Sequence, residues 1–110
     1  MTCDMRQYAA TIKDAVRRES DNDKNWNWKV KAIRKEEAMI SWGYLDGEEN
    51  DCFLVEIEDD EALQVVIGTM PNGYKKYAFI GPDHWDDADT WEKGIALVIH
   101  SMAASAHRTY

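Results

Sequence analysis

This chain is short of the residues that build small stapled or metal-held folds: of 110 residues only two are cysteine, two proline and six glycine. Cys3 and Cys52 form no CxxC pair and no disulfide-rich spacing, so both are expected as free thiols in a reducing compartment. The glycines assemble no phosphate loop and no nucleophile elbow, and no zinc spacing occurs. Long hydrophobic runs are missing as well. The longest, Ile95 to Ile99, is far short of the ~20 residues that a membrane-spanning helix needs. Asp4, Arg6, Lys13 and Asp14 break up the region where a secretory signal would be apolar. The expectation is a soluble, cytoplasmic protein with no membrane partner.

Positive charge is the other shortage: 13 Lys and Arg stand against 21 Asp and Glu, a net charge of −8. The deficit is uneven. Residues 1–38 carry nine bases and seven acids, whereas residues 39–110 carry four and fourteen. Asp46, Glu48, Glu49, Asp51, Glu56, Glu58, Asp59, Asp60 and Glu61 follow one another with no base between them. Such a surface repels nucleic acid, which excludes direct nucleic-acid binding, and attracts a basic protein surface. With 45% hydrophobic residues the chain can still fill a core, and its length fits a single domain, 1–110.

Periodicity gives the elements. Met5, Tyr8, Ala9, Ile12 and Val16 share one helical stripe, predicting a helix from a cap at Thr2 to about Glu19. From Asn25 the period is two, with Trp26, Trp28, Val30 and Ala32 on one face of a first strand. Ala38–Leu45, Cys52–Glu58, Leu63–Gly68 and Tyr74–Ile80 follow as strands, with a short helix near Asp59 and Asp60 as the alternative for the fourth. Pro71-Asn72-Gly73 is a hairpin signal. Ala88, Trp91, Ile95, Val98, Ile99, Met102 and Ala106 form the stripe of a final helix over about Asp87–His107, with Asp86, Asp87 and Asp89 at its positive end. The connections are too short for parallel crossovers. The predicted fold is α+β: an N-terminal helix, an antiparallel meander of about five strands and a C-terminal helix, both helices on one face.

Few constellations carry chemistry. Asp21-x-Asp23-x-Asn25 opens like a calcium loop, but Trp26 replaces the glycine of the turn and Ala32 stands where a closing Glu is needed, leaving a polar helix end. His100 and His107, seven apart, lie about 10 Å apart along a helix, too far to share a metal ion. Cys52 as a nucleophile is disfavoured by its acidic neighbours. No catalytic residue, metal site or cofactor is therefore assigned. The segment nearest to an active site is Asp83-His84-Trp85-Asp86-Asp87, where His84 with Asp83, Asp86 or Asp87 would form an acid-base pair; it also reads as an ordinary helix N-terminus.

Five tryptophans are many for a small core. Trp91 and one of Trp26 and Trp28 are expected inside, while Trp42 and Trp85 join the acids as surface anchors. The leading expectation is an acidic module that inhibits or regulates a basic partner, such as a nucleic-acid-binding protein or complex, with nucleic-acid mimicry as its sharper form. The alternatives are a small enzyme built on His84 and a structural homodimer. In size, acidity and lack of catalytic motifs the chain resembles small phage or mobile-element inhibitors of host nucleic-acid machinery, anti-CRISPR proteins included. That resemblance is one of profile, and it implies an inhibitory function.

Overall fold

The computed structural model describes residues 4–44 and 47–109. Thr2, Cys3, Leu45 and Asp46, to which the sequence assigned a helix cap, a thiol, a strand end and a binding acid, lie outside the described residues. Asp4 provides the first cap: its carboxylate accepts the Arg6 backbone N–H at 3.0 Å and starts a 3₁₀ turn, Met5–Tyr8, that runs into helix α1, Ala9–Asn22. The Arg6 guanidinium, 2.6 Å away, hydrogen-bonds the same carboxylate and holds its pKa down at about 2. At the other end of α1 the Asp23 side chain accepts the Asn25 N–H at 3.0 Å. The calcium-like triplet is thus a helix-end turn.

Five strands follow: β1 Trp26–Ile33, β2 Glu37–Tyr44, β3 Glu49–Asp59, β4 Gln64–Thr69 and β5 Lys75–Phe79. They pair in chain order, each antiparallel to the next. Helix α2, Trp91–Thr109, closes the chain. α1 packs on β1, α2 on β4 and β5, and the helices touch each other. Both serve one core, in which Ile12 and Val16 of α1 and Ile95, Ile99 and Met102 of α2 meet Ile40, Phe53, Val55, Val66 and Ala78 of the sheet. The alternation of these strand residues puts them all on the inner face.

Two glycines make this geometry possible. Gly73 has φ +92°, the left-handed conformation required in the turn joining β4 to β5. Gly68 sits under α2: a Cβ built there would lie 2.6 Å from Val98 Cγ1 and 2.8 Å from Met102 Cγ. α2 can approach β4 this closely only because no side chain intervenes.

The structure corrects two details of the sequence reading. A bulge between Val30 and Ala32 shifts the β1 register, pairing Ala32 with Met39 and Ile33 with Ala38. Because Ala38 is fully buried, Ile33 faces inward and Ala32 outward, the reverse of strict alternation. α2 begins at Trp91, not Asp87. Thr90 caps it, its Oγ1 accepting the Lys93 N–H at 3.2 Å, and the aspartates before it are used in a loop. Ala62 lies in the turn between β3 and β4, where Asp60 Oδ1 accepts the N–H groups of Ala62 and Leu63 at 2.9 and 2.8 Å, so β4 is a strand and no short helix precedes it.

Candidate functional site

The acids that are consecutive in sequence are not consecutive in space. β3 carries them along its whole length of 11 residues, so Glu49 and Asp59 stand about 33 Å apart at 3.3 Å per residue. Several are committed locally. Lys31 Nζ binds Glu49 at 2.8 Å, and this hydrogen-bonded cation lowers the pKa of Glu49 below its ordinary value. Asp51 Oδ1 accepts the Cys52 N–H at 2.8 Å. Asp59 accepts Gln64 Nε2 at 3.1 Å, and Asp60 shapes the turn after β3. Glu48 and Glu61 are exposed at opposite ends of the strand.

Glu56 and Glu58 differ from these. Both are exposed on the face of the sheet opposite the helices, about 7 Å apart, and no ion pair with a described residue offsets either. Glu37 lies directly across from Glu56; Arg34, 3.2 Å away, compensates it.

The register places apolar side chains beside this pair. Glu56 opposes Ile67, which opposes Tyr77; Glu58 opposes Val65, which opposes Phe79; Met39 opposes Leu54 in the row before. The rings of Tyr77 and Phe79 stack at 6.4 Å and 15°, yet remain 44% and 43% exposed. Val65 and Ile67 are shielded but lie outside the helix-covered core. The outer face therefore sets Glu56 and Glu58 of β3 beside apolar side chains of β4 and β5, with Lys75 of β5 and Lys29 of β1 on the same face. Sequence reasoning identified Glu56 and Glu58 and missed Leu54, Ile67, Tyr77 and Phe79. A signal existed: Val65-Val66-Ile67 is continuously apolar, the pattern of a strand shielded on both faces.

The edge of β5 is partly closed. Ile80 N–H donates to Gln64 O at 2.9 Å and Met70 N–H to Tyr74 O at 2.8 Å. Those bonded pairs fix the ladder, so Lys75, Tyr77 and Phe79 turn their backbone groups away from β4. At Phe79 the loop after β5 meets them: Asp87 Oδ2 accepts the Phe79 N–H at 2.9 Å, and Phe79 O accepts from Asp87 and Ala88 N–H at 2.9 and 3.2 Å.

This loop also answers where His84 and the tryptophans lie. Asp86 Oδ2 accepts the Asp83 N–H at 3.2 Å, Asp87 binds Phe79, and Asp89 pairs with Lys93 at 3.0 Å; the Lys93 hydrogen bond lowers the pKa of Asp89. The His84 ring instead lies 4.6 Å from that of Trp85, and among the described residues no carboxylate hydrogen-bonds it. Trp85 is 85% exposed, as a surface anchor requires, whereas Trp42, assigned to the same surface, is 1% exposed and part of the core. Trp28 is buried too, and Trp26 and Trp91 are half-buried against the core. Trp42 points inward because it pairs with Trp28 across β1 and β2 on the helix-covered face.

His100 and His107 each tie α2 to the end of α1. His100 Nδ1 lies 2.8 Å from Glu19 Oε1 and His107 Nε2 2.8 Å from Asp23 Oδ2, and the His107 ring packs against Trp26 with centroids 4.2 Å apart and planes tilted by 34°. Burial, reinforced by Asp51, pushes the Cys52 thiol pKa above its ordinary value. Among the described residues no three His, Cys, Asp or Glu side chains converge as a metal site, and no helix is long and apolar enough to cross a membrane.

No family model matches this chain, and no curated protein or solved structure shows significant similarity to it. The fold defines its class, a two-layer α+β domain with two helices on one face of a five-stranded antiparallel meander.

Proposed function

We propose that this chain is a protein-binding module that regulates or inhibits a basic partner. The observation that carries the reading is the pair Glu56 and Glu58, two exposed carboxylates on the sheet face opposite the helices, neither ion-paired among the described residues. Like charges held close on a folded surface cost stability, and a cationic partner removes that cost while gaining steering at long range. The narrower form, a protein with nucleic-acid-binding machinery as target, draws support from the spacing of about 7 Å between these residues along the strand, which resembles that of backbone phosphates. Inhibition of such machinery agrees with the profile resemblance to small phage inhibitors.

Affinity capture from the native host with wild type and with Glu56→Lys/Glu58→Lys side by side tests the reading. The expected result is a partner with a basic surface, retained by wild type and lost by the variant. An acidic partner, or equal capture by both, overturns it.

A further inference from the structure

We infer that the outer sheet face is a docking site for an amphipathic, basic helix of the partner, lying along β4 as a third layer of the fold. The inference rests on the reading of a basic partner and adds the shape of what binds and the residues that hold it.

Three observations lead there. Val65, Val66 and Ile67 give β4 apolar side chains on both faces; on the outer face, which α1 and α2 do not cover, Val65 and Ile67 are already shielded by their neighbours, so the open apolar surface is the paired rings of Tyr77 and Phe79 on β5. An antiparallel sheet with one solvated face ordinarily alternates apolar and polar residues, so this strand has the composition of one covered on both sides. Tyr77 and Phe79 extend the apolar surface to the sheet's edge and stack on each other in the open. Large aromatic rings in such a position are frequent anchors of protein interfaces.

Charge complementarity selects the occupant. A second copy with its twofold axis at this patch would bring its own Glu56 and Glu58 against these, and like charges across an interface suppress association. A partner with Lys or Arg on one flank pairs them instead. The geometry favours a helix. The apolar rows on β4 and β5 and the carboxylates on β3 are separated by one to two strand spacings, about 5 to 10 Å, which matches the width of a helix bearing an apolar stripe with cations on its flank. A strand would add at the β5 edge, two strands away from the carboxylates on β3, and that edge is closed at Phe79 by Asp87 and Ala88, leaving only Lys75 and Tyr77 to pair.

The test is an NMR titration of the full, ¹⁵N-labelled chain with a synthetic helical peptide of about 18 residues, long enough to span β4 at 1.5 Å per residue. It carries a leucine stripe and lysines on one flank; a control peptide has the same composition with the stripe scrambled. Shifts concentrated at Leu54, Glu56, Ile67, Tyr77 and Phe79, with binding about tenfold tighter than the control and about tenfold weaker to Tyr77→Ala/Phe79→Ala, are expected. Both residues are about half exposed, so the double variant keeps its fold, which its own spectrum verifies. No binding of the patterned peptide, equal binding of the scrambled one, or shifts clustered elsewhere overturns the inference. With the natural partner the two readings separate. If Glu56→Lys/Glu58→Lys abolishes binding and Tyr77→Ala/Phe79→Ala leaves it intact, the helix site is wrong and the basic-partner reading stands. If neither variant matters, both fail.

Discussion

Substituting Gly68 by alanine adds a single methyl group, and the structure indicates where it must go. The new Cβ would lie 2.6 Å from Val98 Cγ1, 2.8 Å from Met102 Cγ and 2.9 Å from Met102 Sδ, against a carbon–carbon optimum of about 3.5 to 4.0 Å. Met102 can swing, since its unbranched side chain is adaptable. Val98 is β-branched and stiff on its helix, so α2 must retreat by about 1 Å or β4 must bend. Overpacking of this kind costs about 1 to 3 kcal/mol. With a urea slope of about 1.5 kcal/mol/M, a 2 kcal/mol loss lowers the unfolding midpoint by about 1.3 M. Urea unfolding followed by circular dichroism measures it. Val98→Ala makes room for the new methyl, so the double variant should be more stable than the two single losses added together, by about 1 kcal/mol. A Gly68→Ala protein that unfolds with wild type would show that α2 does not rest on β4, and the two-layer arrangement would be wrong.

Two further predictions concern single side chains. His84→Ala should change stability by less than about 1 kcal/mol in the same assay and leave partner binding intact, because the His84 ring packs on Trp85 and no described carboxylate hydrogen-bonds it; a lost activity with the fold preserved would restore the acid-base reading. In a Cys3→Ser background, Cys52 should be alkylated slowly at neutral pH and faster as pH rises beyond the ordinary thiol range, because burial and Asp51 keep the thiol protonated. Asp51→Asn should speed it, and rapid modification at neutral pH in the parent would contradict the burial.

Period-two and period-3.6 patterns made the element order legible because each strand exposes one face and each helix buries one stripe. They could not reveal the extra residue at Lys31, since a bulge inserts into a strand without a signature in alternation, and Ala32 and Ile33 were exchanged for that reason. The start of α2 was misplaced because aspartates before a helix serve the dipole and a structured loop equally well; here Asp87 reaches Phe79 and Asp86 reaches Asp83. For the site, the acidity of β3 was plain and its dispersion was not. A run of acids in sequence becomes one patch only in a compact turn, whereas an extended strand spreads it over tens of ångströms. Trp42 was misjudged because a tryptophan beside charged residues reads as an interface anchor until the register shows which face it takes. The aromatic half of the outer face was hidden for the same reason, as Tyr77 and Phe79 join Leu54 and Ile67 only through pairing.

The account depends most on Glu56 and Glu58 acting as the electrostatic contact with a basic partner. Association kinetics of the captured partner with wild type and with Glu56→Lys/Glu58→Lys, across ionic strengths from about 0.05 to 0.5 M, test this directly, since the screening length is about 8 Å at 0.15 M and shorter above it. The account predicts that the wild-type association rate falls steeply with salt, and that the variant associates slowly at low salt while dissociating at a similar rate. A salt-insensitive complex formed equally fast by both proteins would contradict it.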